Sequence, residues 1–102
     1  MSKIVMALDQ GTTSSRTILF SEKGEIVADA SASLACHYPQ SGWVEQDPQE
    51  IWTSQSQTIL EALKKAALTM KDIAAVGITN QRETTIAWNR NTGEAITPAI
   101  NW

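Results

Sequence analysis

The sequence lacks the features typical of proteins that bind nucleic acids or cross membranes. Its 102 residues contain 8 Lys and Arg against 11 Asp and Glu, which gives a formal net charge of −3, and no basic run occurs. Because a nucleic-acid backbone is bound by clustered Lys and Arg, we expect no nucleic-acid partner. No apolar run approaches the roughly 18 residues of a membrane span, so we expect no membrane partner.

Cysteine and histidine are also scarce. Cys36 is the only cysteine, so no disulfide can form within the chain, and we predict a cytoplasmic protein. His37 is the only histidine and has no second type of metal ligand near it in the sequence, so we expect no catalytic role for it. With 42% hydrophobic and 19% charged residues, the chain has the composition of one small globular domain.

The first third of the chain predicts three short strands. Residues 3–9 form a short apolar run with β-branched residues, residues 17–20 form a second, and residues 26–36 form a third that is richer in alanine. The turn at 21–25 has Gly24 at its tip. Strands joined by such short turns predict an antiparallel meander.

A helix is predicted after a loop that covers residues 38–48. Asp47 is a good N-cap and Pro48 suits the first helical position, so the helix should extend from Pro48 to about Leu68. Apolar residues at helical spacing predict the face that packs on the sheet: Trp52, Ile59, Leu60, Leu63 and Ala67.

The last part of the chain predicts more extended structure. The nearly unbroken apolar run at 73–80 predicts a central strand that is covered on both faces. A further strand is expected at 84–89, a turn at 91–94 and an extended piece after it. Periodicity alone therefore gives an α/β fold class.

The stretch LDQGTTSSR at 8–16 packs many short polar groups between two apolar runs. A plain β-turn is one interpretation, since Gly11 suits a bend. A phosphate cradle is the other, because backbone N–H groups of a tight turn can converge on an anion. Arg16 would add a fixed positive charge, and Asp9 could hold Mg²⁺ through water. The P-loop pattern GxxxxGK[ST] is not present.

Three segments carry a resemblance to a known family. ALDQGTTSSRTILF at 7–20, GWVEQDPQEIW at 42–52 and ITNQRETTIAWNRNTGE at 78–94 resemble the glycerol-phosphorylating members of the FGGY sugar-kinase family. The resemblance covers essentially the whole chain, and sister kinases differ at residues 80–83. It implies the opening of a ribonuclease-H-like ATPase domain, of the type found in actin and hexokinases. It also implies that residues 1–102 are a partial N-terminal kinase domain from a longer chain.

The resemblance implies roles for the polar turn. Thr12, Thr13 and Ser14 would lie near the transferring phosphates of ATP or ADP, and Arg16 would approach the nucleotide phosphates. Asp9 would be the acid associated with Mg²⁺. The general base of the family is an aspartate that would lie beyond residue 102, so no catalytic base is expected within this chain.

The resemblance also implies a glycerol site. Arg82 and Glu83 would contact the glycerol hydroxyls, and Trp102 would form an apolar wall beside the glycerol carbons. A donor-only guanidinium and an acceptor-only carboxylate can together orient the hydroxyls of a polyol. In a generic chain, the same Arg-Glu pair would be interpreted as a surface ion pair.

The activity implied for the full-length enzyme is ATP-dependent phosphorylation of glycerol to sn-glycerol 3-phosphate, with Mg²⁺ as cofactor. Glycerol and ATP or ADP are the expected partners, and the full-length protein is expected to be a homo-oligomer. Two other functions remain open: a sister FGGY kinase acting on another sugar or polyol, and an actin-like ATPase. The 102-residue chain by itself is expected to be inactive.

Overall fold

A computed structural model describes residues 3–101, which form a mixed four-stranded sheet with one helix on one of its faces. A second sheet of two short strands lies beside it. The elements in chain order are β1 (Ile4–Gln10), β2 (Ser14–Ser21), β3 (Ile26–Ser33), β4 (Glu45–Gln46), α1 (Pro48–Ala66), a short 3-10 turn (Met70–Asp72), β5 (Ile73–Thr79) and β6 (Ala99–Ile100).

The predicted antiparallel meander is confirmed. β1 pairs with β2 from Ile4 opposite Ser21 to Gln10 opposite Ser15, and β2 pairs with β3 in the same sense. The strand order is β3-β2-β1-β5, and β5 lies parallel to β1. The core lies between the sheet and α1, and its buried apolar residues are Ile4, Met6, Leu19, Ala30, Ala62 and Leu63.

Helix α1 begins as predicted. The Asp47 side chain accepts a hydrogen bond of 2.9 Å from the Gln49 N–H, and Pro48 occupies the first helical position. The helix ends at Ala66, slightly before the predicted end, because Ala67 adopts a left-handed conformation with φ of 56°. No helix within residues 3–101 is long and apolar enough to cross a membrane.

The predicted apolar face of α1 is partly wrong. Leu63 is buried, but Trp52 and Leu60 are 62% and 68% exposed. Thr58 faces the sheet instead, with its hydroxyl oxygen 2.8 Å from that of Thr17 on β2. Because β2 presents buried hydroxyls such as Thr17 to the helix, the helix turns a polar strip toward the sheet to satisfy them.

The prediction that the strand at 73–80 is central and covered on both faces is also wrong for the residues described. β5 is an edge strand, and Val76 and Ile78 on it are 45% and 74% exposed. The physical reason is the placement of α1, which packs on β2 and β3 and does not reach over β5. The apolar composition of this strand therefore does not reflect burial by any element within residues 3–101.

The predicted strand at 84–89 is reduced to two isolated bridges, Thr85 with Ile100 and Trp88 with Ala95. The turn at 91–94 is confirmed, with the Gly93 N–H donating to the Asn89 carbonyl at 2.8 Å. Gly93 has a φ of +78°, which glycine adopts without strain. The pairing of β4 with β6 has no counterpart in the sequence-based prediction, because strands of two residues show no periodicity.

Candidate active site

The parallel pairing of β1 and β5 creates the candidate site. Asp9 near the end of β1 lies beside Thr79 at the end of β5. Adjacent parallel strands end at the same edge of a sheet, so the turn after β1 and the segment after β5 emerge together. They form a cleft of about 410 Å³ whose lining includes Asp9, Thr12, Arg82, Glu83 and Asn101.

The turn between β1 and β2 is closed by a hydrogen bond of 2.9 Å from the Gly11 N–H to the Ser14 carbonyl. A Cβ atom at Gly11 would lie 3.1 Å from that carbonyl oxygen, so the closeness of the two backbone segments favours glycine. Within residues 3–101, the backbone N–H groups of Thr12 and Thr13 have no hydrogen-bond acceptor. They are therefore available to an anion in the way a phosphate cradle requires.

The residues predicted to contact phosphate do not all line the cleft. Thr12 does, whereas Thr13 is exposed at the tip of the turn and Ser14 is exposed at the start of β2. Arg16 lies directly across from Asp9 in the β1–β2 ladder. Its guanidinium donates to Asp29 Oδ2 on β3 at 2.8 Å, so in this structure the side chain makes an ion pair along the sheet.

The acidic groups of the cleft suit a magnesium ion that is held mainly by water and phosphate. Asp9 is exposed and lines the cleft, as does Glu83. Within the described residues, no group of three or more His, Cys, Asp and Glu side chains could enclose a metal ion. Mg²⁺ commonly binds through one or two carboxylates and keeps several waters, so the donor set at Asp9 fits it.

The two residues predicted to bind glycerol lie in the segment after β5, separated from the strand by Asn80 and Gln81. Arg82 and Glu83 lie in a bend, are exposed, and line the same cleft as Asp9 and Thr12. The structure thus brings together two sets of predicted residues that are about 70 positions apart in the chain. The third predicted glycerol contact, Trp102, lies outside the described residues.

Sequence reasoning did not identify a group of hydrogen-bonded polar side chains at the cleft, which we call the amide network: Gln46, Gln81, Thr84 and Asn101. Gln46, Gln81 and Asn101 are buried and Thr84 is half-buried; all but Gln46 line the cleft. Asn101 Nδ2 lies 3.1 Å from Gln46 Oε1, 3.1 Å from Gln81 Oε1 and 2.9 Å from Thr84 Oγ1, so its two N–H groups are shared among three acceptors. Gln46 Nε2 donates to the Thr12 carbonyl at 2.6 Å. Isolated amides in loops or in a two-residue strand carry no periodic signal, so only their contacts reveal the network.

Comparison with solved structures defines the class of fold. The chain superposes on a glycerol kinase from Plasmodium falciparum solved with ADP, with a TM-score of 0.84 and 32% identity. The match covers 99% of this chain and 20% of that one. The fold is therefore the ribonuclease-H-like fold of the sugar kinases, as the sequence resemblance implied.

Sequence comparison gives the family. Residues 4–102 match the N-terminal domain of the FGGY family of carbohydrate kinases, and the chain belongs to that family. It is 57% identical over 102 residues to a glycerol kinase of Alkaliphilus oremlandii, and 55% identical over 102 residues to one of Shewanella frigidimarina. The alignments cover the whole chain but only 20% of each relative, so the chain spans about a fifth of the length of these proteins.

Proposed function

We propose that this chain is the N-terminal part of a longer cytoplasmic glycerol kinase. The complete enzyme would transfer the terminal phosphoryl group of ATP to a primary hydroxyl of glycerol and release sn-glycerol 3-phosphate and ADP. The observation that supports this most directly is the single cleft lined by Asp9 and Thr12 on one side and by Arg82 and Glu83 on the other. The family and the names of the relatives favour the same reaction.

The segment after β5 would form the glycerol-binding half of the site. Glycerol is an uncharged triol, so it must be oriented by donors and acceptors at fixed positions. Arg82 offers only donors and Glu83 offers only acceptors, so their chemistry matches adjacent hydroxyls. Trp102 would form the apolar wall beside the carbon chain.

The turn between β1 and β2 would form the phosphate-binding half of the site. Thr12 and Thr13 would donate to phosphate oxygens through their backbone N–H groups and hydroxyls, and Ser14 through its hydroxyl. Arg16 would add positive charge once its side chain leaves Asp29, because it lies across the ladder from Asp9. Phosphoryl transfer depends on such positioning and charge neutralisation more than on covalent chemistry by the protein.

Asp9 would hold magnesium through water. A bound Mg²⁺ ion would neutralise charge on the phosphates during transfer. The group that takes the proton of the attacking hydroxyl would come from beyond residue 102. Asp9 and the turn therefore supply placement and charge, while proton transfer depends on another part of the protein.

A coupled assay of ADP formation by the full-length protein tests the proposal. We expect ADP to form in the presence of MgATP only when glycerol is added. A panel containing glycerol, xylulose and gluconate separates a glycerol kinase from a sister kinase of the family. ADP formation without any acceptor would favour an actin-like ATPase instead and would contradict the proposal.

A further inference from the structure

We propose that Gln46 is a positioning residue that fixes the phosphate turn relative to the glycerol-binding segment. This inference rests on the proposed function. Gln46 is 1% exposed and does not line the cleft. It lies on the two-residue strand β4, which belongs to a different sheet from β1 and β5.

The two ends of the Gln46 side chain bind the phosphate turn and Asn101. Nε2 donates to the carbonyl of Thr12 in the phosphate turn at 2.6 Å. Oε1 accepts from Asn101 Nδ2 at 3.1 Å. One buried side chain therefore connects the phosphate turn to Asn101.

Asn101 continues the connection to the glycerol-binding segment. The two N–H groups of Nδ2 are shared between Gln46 Oε1 and two further acceptors, Gln81 Oε1 and Thr84 Oγ1, and the Thr84 hydroxyl donates to Gln81 Oε1. Gln81 and Thr84 flank the two proposed glycerol contacts in sequence. The amide network thus binds the residues on both sides of Arg82 and Glu83 and reaches the turn that carries Thr12.

This arrangement predicts a specific kinetic effect. Each half of the cleft keeps its own binding groups when Gln46 is truncated, so the affinities for ATP and glycerol should change little. The placement of one half relative to the other should loosen, and transfer depends on the alignment of the hydroxyl with the phosphoryl group. A misplacement of about 1 Å can reduce a rate by about a hundredfold.

The test is steady-state kinetics of the full-length protein with the variant Gln46→Ala. We expect kcat to fall by about ten- to a hundredfold. The KM for glycerol and the KM for ATP should each stay within about threefold of the wild-type values. In the double variant Gln46→Ala/Asn101→Ala, the two losses in kcat should not add, because both substitutions break the same connection.

The matched control is Gln55→Ala, which truncates another buried glutamine. Gln55 is 6% exposed and its Nε2 donates to the Arg16 carbonyl at 3.0 Å, but it lies on the face of α1 that packs on β2 and does not line the cleft. It should lower thermal stability while kcat of the folded enzyme stays near the wild-type value. If Gln46→Ala does not fold, Gln46→Met replaces it, because methionine has a similar volume but no amide. The same fall in kcat and the same unchanged KM values are expected for Gln46→Met.

The outcomes separate this inference from the proposed function. A wild-type protein that does not phosphorylate glycerol would overturn both. An active wild type with an unchanged kcat in the Gln46 variant would overturn only the positioning role. The positioning role would also be overturned if the Gln46 variant has a raised KM for glycerol or ATP and an unchanged kcat. It would likewise be overturned if Gln55→Ala lowers kcat as much as Gln46→Ala does.

Discussion

Asp9 and Thr79 lie side by side on the parallel strands β1 and β5, and this contact determines where the candidate site forms. The polar turn follows Asp9 directly, and the segment with Arg82 and Glu83 follows Thr79. Because both strands end at one edge of the sheet, residues from distant parts of the sequence share one cleft. The proposed reaction requires this meeting of two halves, and the predictions below address each half separately.

Replacement of Asp9 by Asn should reduce kcat of the full-length enzyme. We propose that the carboxylate interacts with magnesium and the phosphates, whose charge redistributes only as the phosphoryl group moves. Loss of such an interaction should lower kcat by about a hundredfold or more, with glycerol binding nearly intact. Steady-state kinetics at saturating Mg²⁺ measure this. Asp72→Asn, in the short turn before β5, is the control for the same chemical change. A variant Asp9→Asn with wild-type kcat would remove Asp9 from the site.

Replacement of Arg82 by Ala should mainly raise the KM for glycerol. A hydrogen bond that involves a charged group contributes about 1.5–3 kcal/mol, so glycerol use should weaken by roughly ten- to a hundredfold. The KM for ATP should change little. Arg90→Ala is the control, since Arg90 is an exposed arginine that does not line the cleft. An unchanged glycerol KM together with impaired ATP binding would show that the polyol assignment is wrong.

The ion pair between Arg16 and Asp29 allows a direct test of the predicted phosphate role of Arg16. Its partners are 2.8 Å apart, with side chains 43% and 46% exposed. An exposed pair of this kind contributes only about 0–1 kcal/mol, which is all that Arg16 would give up on turning to phosphate, so Asp29→Asn should change the ATP KM by no more than about fivefold. Arg16→Gln should raise the ATP KM by about tenfold if the guanidinium contacts phosphate. Equal effects of the two substitutions would assign Arg16 to the ion pair alone.

Two leucines of α1 test which face of the helix is buried. Leu63 is 6% exposed and Leu60 is 68% exposed. Leu63→Ala should lower the free energy of unfolding of the 102-residue chain by about 2–5 kcal/mol. Leu60→Ala, the same change on the same helix, should alter it by no more than about 0.5 kcal/mol. Urea denaturation measures both free energies of unfolding. Equal losses for the two variants would support the sequence-based prediction that Leu60 and Leu63 both face the sheet.

The 102-residue chain produced alone should not phosphorylate glycerol, because the proposed proton acceptor lies outside it. It should also unfold within or below the range of about 45–65 °C that is common for mesophilic domains. The reason is the exposure of apolar side chains on β5, including Val76 and Ile78. A coupled assay and a thermal melt test these points. Glycerol-dependent turnover by this chain, or a cooperative melt well above that range, would contradict the prediction.

The local elements of the fold could be predicted because their causes are local. The apolar run at 3–9 and the turn at Gly24 indicate a strand and a reversal through residues that are adjacent in the chain. The cap at Asp47 likewise acts on the Gln49 N–H, two residues away. The resemblance of residues 78–94 to the family further singled out Arg82 and Glu83, which no periodicity would have distinguished.

The sequence by itself therefore determined the meander, the start of α1 and the chemistry available in the polar turn, since these depend on neighbouring residues. Only the tertiary structure decided that β5 lies beside β1, that α1 turns Thr58 rather than Leu60 to the sheet, and that Gln46 reaches both Thr12 and Asn101. Each of these depends on a partner far away in the chain. Burial and hydrogen bonding between such partners arise only when the strands and helix pack, so a local pattern cannot contain them.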